Sequence, residues 1–458
     1  MTVTTTAVTV VLPLYLAIVP AYSRLQRRFA QLGRRPRAGS PESSPRRASY
    51  RPSVDVVIPC YNEDPHLLAA CLRSLRGQDY KGGMRVWVVD DGSGNREALR
   101  PVLEAVSGLD QRVLLLDGNH GKREAQAAAL REGSGDVVVT IDSNTTIAPD
   151  GIRRIVAQLG DPRVGAVTAD LRASNADTTW LTRLIDVRYR LLFERERAAQ
   201  SYFGTVFCCA GPFSAYRREA VEQVLPQYLS QRFCGRRRVF GDDLTLTNLV
   251  LAAGYESVYE PAAAAVTSVP TTLRRFARQQ LRWNRSFYRE LPQMLRLLRG
   301  RSRYLAFDLA ARTLLPALVA TGIAGTVADA LTAASRVPLD LGVLAIMAIA
   351  TVDLGLTPAG REGRRFAVGY GLVFVGLLLP IRLWALCTLF QNHWGTRELK
   401  GQWRTRASSL RAFISPTSLP FSRYRVIARS SSLAASPLRP ARPKTSARST
   451  RASARESS

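Results

Sequence analysis

The amino-acid sequence predicts an α/β domain built on a parallel sheet, followed by helices that lie in or on a membrane. Two observations predict the domain: short β-rich runs alternate with helical stretches from residue 53, and most of these runs end in acidic or turn residues. A third observation predicts the membrane part, because a basic amphipathic stretch and long apolar segments follow residue 270.

Residues 1–23 are predicted to form an N-terminal membrane anchor. The apolar run 7–22 precedes the basic run RLQRRFAQLGRRPR, which reverses the order found in a cleaved signal peptide. The basic side is therefore placed in the cytosol, with a buried or interfacial helix as the alternative. Residues 24–52 are predicted to be a basic linker, since their second half is rich in Pro, Ser and Arg.

The α/β domain is predicted to span residues 53–270. Its first strands are predicted from the runs SVDVVIPCYNE, MRVWVVDDGS, QRVLLLDG and DVVVTIDSN, which helical stretches separate. Ligands bind at the carboxyl ends of parallel strands, so the residues that follow these runs form the candidate site.

The segments after this domain are predicted to be membrane-associated. Residues 271–303 have the pattern of interfacial amphipathic helices, and residues 304–357 that of two α-helical transmembrane segments. Residues 358–404 are expected to re-enter or to lie at the cytosolic face, because a third span would place the basic tail outside the cell. The tail, residues 405–458, is expected to be basic and disordered. The protein is thus predicted to be a multi-pass protein of the cell (plasma) membrane, with the domain and the tail cytosolic.

The net charge indicates anionic partners. The 458 residues carry a formal charge of +28, much of it in residues 24–51 and after Trp394. Both regions flank apolar segments, which favours an anionic lipid membrane. No zinc-finger spacing or RNA-recognition aromatics accompany the charge, so no nucleic-acid partner is expected.

Two motifs offer contacts for a nucleotide. Asp91 closes a strand in Asp-Asp-Gly-Ser, and its carboxylate is a hydrogen-bond acceptor for a base; the alternative is an ordinary strand-end turn. Gly121-Lys122-Arg123 opens a helix, where a glycine, a helix N-terminus and two cations suit phosphate groups. The alternative there is a solvated first turn.

Two further motifs carry paired oxygen atoms. Asp142-x-Asn144 ends the fourth strand, and a carboxylate with an amide oxygen can coordinate a divalent metal, with lower affinity than two carboxylates. Asp242-Asp243 precedes a helical run, so one of these carboxylates is a candidate general base. The alternative for Asp242-Asp243 is N-capping of that helix.

The motif Gln279-x-x-Arg282-Trp283 lies in the amphipathic stretch. Arg282 has forked donors for phosphate oxygens, and Trp283 has a flat apolar face for a sugar ring. The alternative is an interfacial helix with an anchoring Trp. Each motif is weak alone, but the ordered set with membrane segments after it is a strong signal.

From about Val54 to Lys400 the sequence resembles the family-2 glycosyltransferases of the GT-A (Rossmann-like) fold. The resemblance lies in VVIPCYNED, VVDDGS, GKREAQ, LTRLIDVRYRLLFERERAAQS, CCAGPFSAYRREAV, GDDLTLTN, RQQLRWNRSFYRE and HWGTRE. The ERAAQS and RSFYRE stretches look most like bacterial hyaluronan synthases, with chitin-oligosaccharide synthases as near relatives.

The resemblance implies a membrane-bound processive hexosyltransferase that polymerises sugars from UDP-sugars by inverting transfer. A hyaluronan synthase would use UDP-GlcNAc and UDP-glucuronate and would hold the growing polysaccharide. Two alternatives remain open: a chitin-type or other single-donor polysaccharide synthase, and an inactive membrane protein that only binds nucleotide-sugar or polysaccharide.

The resemblance also implies roles for individual residues, including a general base at Asp243 with Asp242 beside it. Asp142 and Asn144 would bind Mg²⁺ or Mn²⁺. The implied donor contacts are Asp91 (to the uracil), Lys122, Arg123, Asp142, Gln279, Arg282, and the gating-loop residues Trp394 and Arg397. The implied acceptor contacts are Trp283, Gly211 and Pro212.

Two departures from the family are visible. The family usually has Asp at the position of Asn144, and many members have two N-terminal spans where this sequence shows one. The polymer channel would then be completed by fewer helices or by a second copy of the chain, as in a homo-oligomer.

Overall fold

The structure is a computed structural model that describes residues 12–34, 49–105, 109–332, 373–392 and 424–428. Within these residues the α/β domain is organised around one nine-stranded sheet. All five residues of the fourth strand are buried, so the centre of the sheet is covered on both faces.

The strands, in chain order, are β1 (Val54–Cys60), β2 (Met84–Asp90), β3 (Asp110–Leu116), β4 (Val137–Ile141), β5 (Thr145–Ile147), β6 (Val164–Ala173), β7 (Phe213–Arg217), β8 (Arg232–Phe233), β9 (Arg236–Arg237), β10 (Glu256–Thr267) and β11 (Tyr424–Ala428). β8 and β9 form a separate small hairpin.

The helices are α1 (Leu12–Gly33), α2 (Pro65–Arg76), α3 (Arg96–Ala105), α4 (Lys122–Glu132), α5 (Gly151–Ala157), α6 (Trp180–Leu191), α7 (Ala198–Tyr202), α8 (Arg218–Ser230), α9 (Asp242–Ala252), α10 (Leu273–Leu297), α11 (Arg303–Thr332) and α12 (Leu379–Cys387). A π-helical turn, Leu192–Arg197, joins α6 to α7, and another, Phe374–Leu378, precedes α12.

The strand order across the sheet is β11-β3-β2-β1-β4-β7-β6-β10-β5. The strands β3, β2, β1 and β4 are parallel, as the βαβ alternation predicts. The predicted parallel sheet is confirmed only for these strands, because β7 runs antiparallel between β4 and β6, and β5 and β11 are antiparallel at the two edges. The sheet is therefore mixed, and β4 and β7 meet at its centre.

Helix α1 continues past residue 23, where the sequence predicts the anchor to end, and takes in the basic run as far as Gly33. The helix packs tightly on the domain, since a Cβ built on Gly33 would lie 1.9 Å from the carbonyl oxygen of Ala198. Phe29 also packs against the rings of Phe203 and Tyr304, with centroids 4.8 and 4.6 Å away. The first part of the predicted linker is thus a docked helix.

Helix α11 begins where the first transmembrane segment is predicted. Its part Arg303–Ala324 is the one helix, among the residues that the structure describes, that is long and apolar enough to cross a membrane. The second predicted transmembrane segment, in the part of residues 304–357 that follows Thr332, lies outside the described residues. The multi-pass topology remains a prediction.

Helix α10 is the predicted amphipathic helix, but part of its charged surface is buried. Arg285 donates to Thr388 Oγ1 at 2.8 Å, and the Arg289 guanidinium donates to the carbonyl oxygen of Leu389. These contacts hold α12 and the turn after it along α10. Residues Trp394 and Arg397 lie outside the described residues, so the structure does not test the predicted gating loop.

The basic tail contains one described element, the strand β11. It pairs antiparallel with β3 along residues 112–116 and forms one edge of the sheet. The expectation of a tail disordered throughout is therefore wrong for Tyr424–Ala428; its other residues lie outside the described part.

A close contact of two glycines joins the ends of β2 and β3. Gly92 has a φ of 72°, and a Cβ built on it would lie 2.4 Å from the carbonyl carbon of Gly118. Both its backbone conformation and the space around it therefore require a glycine.

We expect Gly92→Ala to lower the free energy of unfolding by about 1–3 kcal/mol, because the new methyl group meets backbone at a positive φ. Gly118→Ala is the matched control, since a Cβ there has no atom within 4 Å. Thermal unfolding of the two detergent-solubilised variants beside the wild type makes the comparison. Equal stability of both variants would contradict the prediction.

Candidate active site

A lysine–aspartate pair marks the edge where the parallel strands end. Asp142 follows β4 directly, and Lys122 is the first residue of α4, after Gly121 with its φ of 92°. Lys122 Nζ donates to Asp142 Oδ1 at 2.6 Å. Burial lowers the pKa of Lys122, but the nearby carboxylates of Asp142, Asp242 and Asp243 raise it by a larger amount. The net shift of this pKa is therefore upward, and the ammonium stays charged.

Gly211 lies where three charged side chains converge. A Cβ built on it would lie 2.9 Å from Lys122 Nζ and 3.8 Å from an oxygen of both Asp142 and Asp243. Pro212, the next residue, accepts a hydrogen bond from the Asp142 backbone N–H at 3.3 Å. The structure thus brings five of the predicted site residues to one place, although they are scattered through more than a hundred positions of the sequence.

Asp243 is half-buried at the N-terminus of α9 and faces this place. Its Oδ2 accepts from the Gly211 backbone N–H at 3.3 Å, and its Oδ1 accepts from the N–H of Leu244 at 2.9 Å. One carboxylate oxygen is therefore oriented toward the Gly211 position.

Asp242 and Arg123 form a buried ion pair behind Lys122 and Asp243. Arg123 Nε donates to Asp242 Oδ1 at 2.9 Å, and its other nitrogens donate to the Tyr228 carbonyl and to Thr245 Oγ1. Burial raises the pKa of Asp242, although Arg123 and Lys122 oppose that shift. The structure places Arg123 as a positioning residue rather than a ligand of donor phosphates, because its guanidinium is buried and bonded to protein groups. Asp242 is likewise a supporting residue.

Asp91 supports the turn before α4. Its two oxygens accept the backbone N–H groups of His120 and Gly121 at 2.7 and 2.9 Å. Burial raises the pKa of Asp91 to about 6, against the lowering effect of these two hydrogen bonds. The side chain therefore fixes the place of Lys122 through the turn, and its predicted contact with uracil remains a prediction.

The predicted metal ligands are both oxygen donors at this edge of the sheet. Asp142 is about one-third exposed, and the amide oxygen of Asn144 accepts from Thr267 Oγ1 at 3.3 Å. Among the described residues no group of three or more His, Cys, Asp or Glu forms a metal site. A carboxylate and an amide oxygen nevertheless fit a hard cation that takes its remaining ligands from water and a diphosphate.

The predicted motif on α10 approaches this site through α9. A Cβ on Gly241, the residue before α9, would lie 2.7 Å from Ser286 Oγ, so the two helices touch there. Arg282 and Trp283 lie about one helical turn before Ser286. Trp283 is 41% exposed. The Oε1 of Gln279 has no hydrogen-bond partner in the described part of the chain.

The sequence interpretation missed two residues of the site. Glu63 is buried after β1, and its carboxylate accepts from Ser143 Oγ, between Asp142 and Asn144. The acidic residues that end the run CYNED, directly after a predicted strand, could have indicated Glu63. Cys208 lies near Asp243, and burial together with that carboxylate raises the pKa of its thiol, which stays protonated.

Two relatives cover most of the chain. An N-acetylglucosaminyltransferase of Rhizobium sp. (strain N33) is 47% identical over 76% of this chain and 77% of its own length. An N-acetylglucosaminyltransferase of Sinorhizobium fredii (strain NBRC 101917 / NGR234) is 44% identical over 85% of this chain and 94% of its own.

A solved structure shares the fold. The mannosyltransferase of Pyrobaculum calidifontis in complex with GDP-Man and Mn²⁺ has a TM-score of 0.59 and 21% identity, and the match covers 83% of this chain and 99% of that one. At this identity the likeness shows the fold alone, and it confirms the predicted GT-A-like α/β architecture.

A family model described as "Glycosyltransferase like family 2" matches residues 52–286, just over half of the 458 residues. The matched region contains every candidate side chain that the structure describes, from Glu63 to Trp283. Together with the two relatives, this match shows that the chain belongs to the family-2 glycosyltransferases.

Proposed function

We propose that this protein is a membrane-associated N-acetylglucosaminyltransferase that transfers GlcNAc from UDP-GlcNAc to a saccharide hydroxyl and so builds a chitin-type oligosaccharide from one donor. The observation that carries the proposal is the convergence of Lys122, Asp142 and Asp243 around Gly211. A cation for a diphosphate and a base for a hydroxyl are the two groups that such a transfer needs.

The choice of donor rests on the relatives. Both are named N-acetylglucosaminyltransferases, which favours the single-donor alternative over the prediction of a hyaluronan synthase. UDP-glucuronate is therefore not part of the proposal. The similarity of the ERAAQS and RSFYRE stretches to hyaluronan synthases does not outweigh identities above 40% over three quarters of the chain.

Asp243 is the proposed general base. Its Oδ2, held by the Gly211 N–H, would take the proton of the acceptor hydroxyl as that oxygen attacks the anomeric carbon of the donor sugar. The bond from the anomeric carbon to the diphosphate oxygen breaks in the same displacement, and the configuration inverts. Such a displacement requires no covalent bond between the sugar and the enzyme.

The departing diphosphate would be stabilised by Lys122, with Arg282 from α10. A Mg²⁺ or Mn²⁺ ion held by Asp142 and Asn144 would supply further positive charge there. Lys122 suits this role because its ammonium is preorganised by Asp142, at 2.6 Å, at the N-terminus of α4. Gly211 and Pro212 would line the acceptor side, and Trp283 would stack on the acceptor sugar.

The proposed membrane association rests on two helices. α11 contains the candidate span, and α12 exposes Leu383, Trp384 and Leu386. Exposed apolar side chains beside a candidate span suit the edge of a bilayer. The domain limits, the re-entrant segment and a homo-oligomer remain predictions of the sequence.

Incubation with UDP-sugars tests the function. We expect the full chain in membrane vesicles with Mg²⁺ or Mn²⁺ to release UDP and form GlcNAc oligomers from UDP-GlcNAc alone. A product that forms only when UDP-glucuronate is added, and that a hyaluronan lyase digests, would restore the hyaluronan prediction. No UDP release from either donor, with UDP still bound, would favour the non-enzymatic alternative.

Asp243→Asn should lower kcat by about 10²–10⁴-fold, because the amide cannot accept the hydroxyl proton. The affinity for UDP should change by no more than about twofold, since Asn keeps the size of the side chain. Asp177→Asn, at a carboxylate 93% exposed, is the matched control and should retain wild-type kcat. A similar loss in both variants, or none in Asp243→Asn, would exclude Asp243 as the base.

The pKa of Asp91 predicts a pH dependence. As the pH falls below about 6 its carboxyl becomes protonated and can no longer accept from both backbone N–H groups, so the KM for UDP-GlcNAc should rise. The contribution of Asp91 to the free energy of unfolding depends on pH in the opposite direction. Because its pKa is higher in the folded protein than in the unfolded chain, this contribution is fully present below pH 3.8 and is lost as the pH rises through about 6.

Donor KM and thermal stability, each measured between about pH 5 and pH 8, check this prediction. Asp91→Asn is the control, since it should have a raised KM without the pH dependence that begins near 6. A wild-type KM that is flat across this range, or an unchanged dependence in Asp91→Asn, would show that Asp91 does not titrate there.

A further inference from the structure

The candidate membrane helix carries a fully buried carboxylate. Asp308 is 0% exposed, and both its oxygens accept hydrogen bonds, Oδ1 from Tyr22 OH at 2.8 Å and Oδ2 from Gln200 Nε2 at 2.9 Å. A charged group inside such a helix is costly to bury, so a specific role is expected of it. Its two partners lie on α1 and α7, outside α11.

Arg312, the cation paired with Asp308, lies closer to another carboxylate than to Asp308. Glu196 pairs with Arg188 at 2.8 Å and with Arg312 at 3.3 Å, whereas the nearest distance from Arg312 to Asp308 is 3.9 Å. Burial disfavours the charge on Glu196, but Arg188 and Arg312 prevail and lower its pKa to about 2. Arg312 is thus shared with a second, firmly ionised carboxylate.

Gln200 connects Asp308 to the segment before β7. Its side chain is fully buried and its Nε2 donates to Asp308. Its Oε1 accepts from the backbone N–H of Phe207 at 3.3 Å and from the Arg197 guanidinium at 3.1 Å. Its backbone carbonyl accepts from the N–H of Thr205 at 3.1 Å. One buried side chain therefore bonds the membrane helix on one side and the chain at residue 207 on the other.

The same segment ends at the proposed base. The backbone N–H of Cys209 donates to Thr247 Oγ1 at 2.9 Å, Thr247 Oγ1 donates to the Asp243 carbonyl at 2.7 Å, and the Gly211 N–H donates to Asp243 Oδ2 at 3.3 Å. Only short stretches of backbone separate these bonds. Residues 205–211 are thus fixed at one end through Gln200 and at the other by α9.

We propose that Asp308 is a positioning residue of the active site, which through Gln200 fixes residues 205–211 and so sets the place of Gly211 beside Asp243. The inference rests on the proposed function in its kinetic part. The donor side, with Asp91 and Lys122, is built on other strand ends, so a change at Asp308 should affect the acceptor side selectively.

An exchange of the amide and the carboxylate between positions 200 and 308 tests the inference. Gln200→Glu places two carboxylates together, whereas the double variant Asp308→Asn/Gln200→Glu restores an amide–carboxylate pair with the opposite direction of donation. We expect Gln200→Glu to lower kcat about tenfold or more with donor KM within about twofold, and the double variant to recover most of the loss. Thr313→Val is the control on α11, because Thr313 bonds only the carbonyl of Leu309, on its own helix, among the described contacts.

Hydrogen exchange of residues 205–211 in the full chain gives a second readout that needs no activity. Exchange at Phe207 should be faster in Gln200→Glu and return toward wild type in the double variant. An unchanged kcat and exchange in Gln200→Glu, no recovery in the double variant, or equal losses of kcat and donor affinity would overturn the inference. A wild-type protein that releases no UDP would contradict the proposed function alone, and the exchange measurement would still decide this one.

Discussion

The buried ion pair of Arg123 and Asp242 is the constraint on which the site depends. Each member is the sequence neighbour of a proposed reacting group, Lys122 and Asp243, at the start of α4 and α9. Successive residues of a helix point about 100° apart, so fixing Arg123 and Asp242 inward turns Lys122 and Asp243 toward Gly211. The pair is well satisfied, since the guanidinium also bonds the Tyr228 carbonyl and Thr245. Removal of either member would leave the charge of the other uncompensated in the core, so both are needed together.

Much of this site could be predicted from sequence, because the ends of parallel strands meet at one edge. Asp142 and Lys122 follow from that rule, and Asp243 from the order of the motifs. The inward direction of Arg123 could not be predicted, since both residues of a Lys-Arg pair suit a phosphate and only the packing of α9 decides between them. Nor could the antiparallel placement of β7, because its run FSAYR lies outside the βαβ alternation. Glu63 could not be assigned to the site either, because its hydrogen-bond partner Ser143 is 80 residues away in the chain.

The stretches that suggested a hyaluronan synthase lie where the domain contacts α11 and the turn after α12. In ERAAQS, Gln200 bonds α11. In RSFYRE, Arg285 and Arg289 are buried against the turn after α12. Side chains with such contacts attach helices to the domain. Enzymes that use different donors can share this kind of attachment. Similarity in these stretches is therefore a weak guide to the sugar, and the identity over the whole chain is the better one.

The strand β11 has a consequence for contacts between copies of the chain. A sheet edge with free N–H and C=O groups is a template on which the edge of another chain can pair. By lying antiparallel along residues 112–116 of β3, Tyr424–Ala428 occupies that template with a segment of the same polypeptide. Tyr424–Ala428 thus shields this edge of the sheet from intermolecular β-pairing, and shortening the chain before residue 424 would expose an aggregation-prone surface.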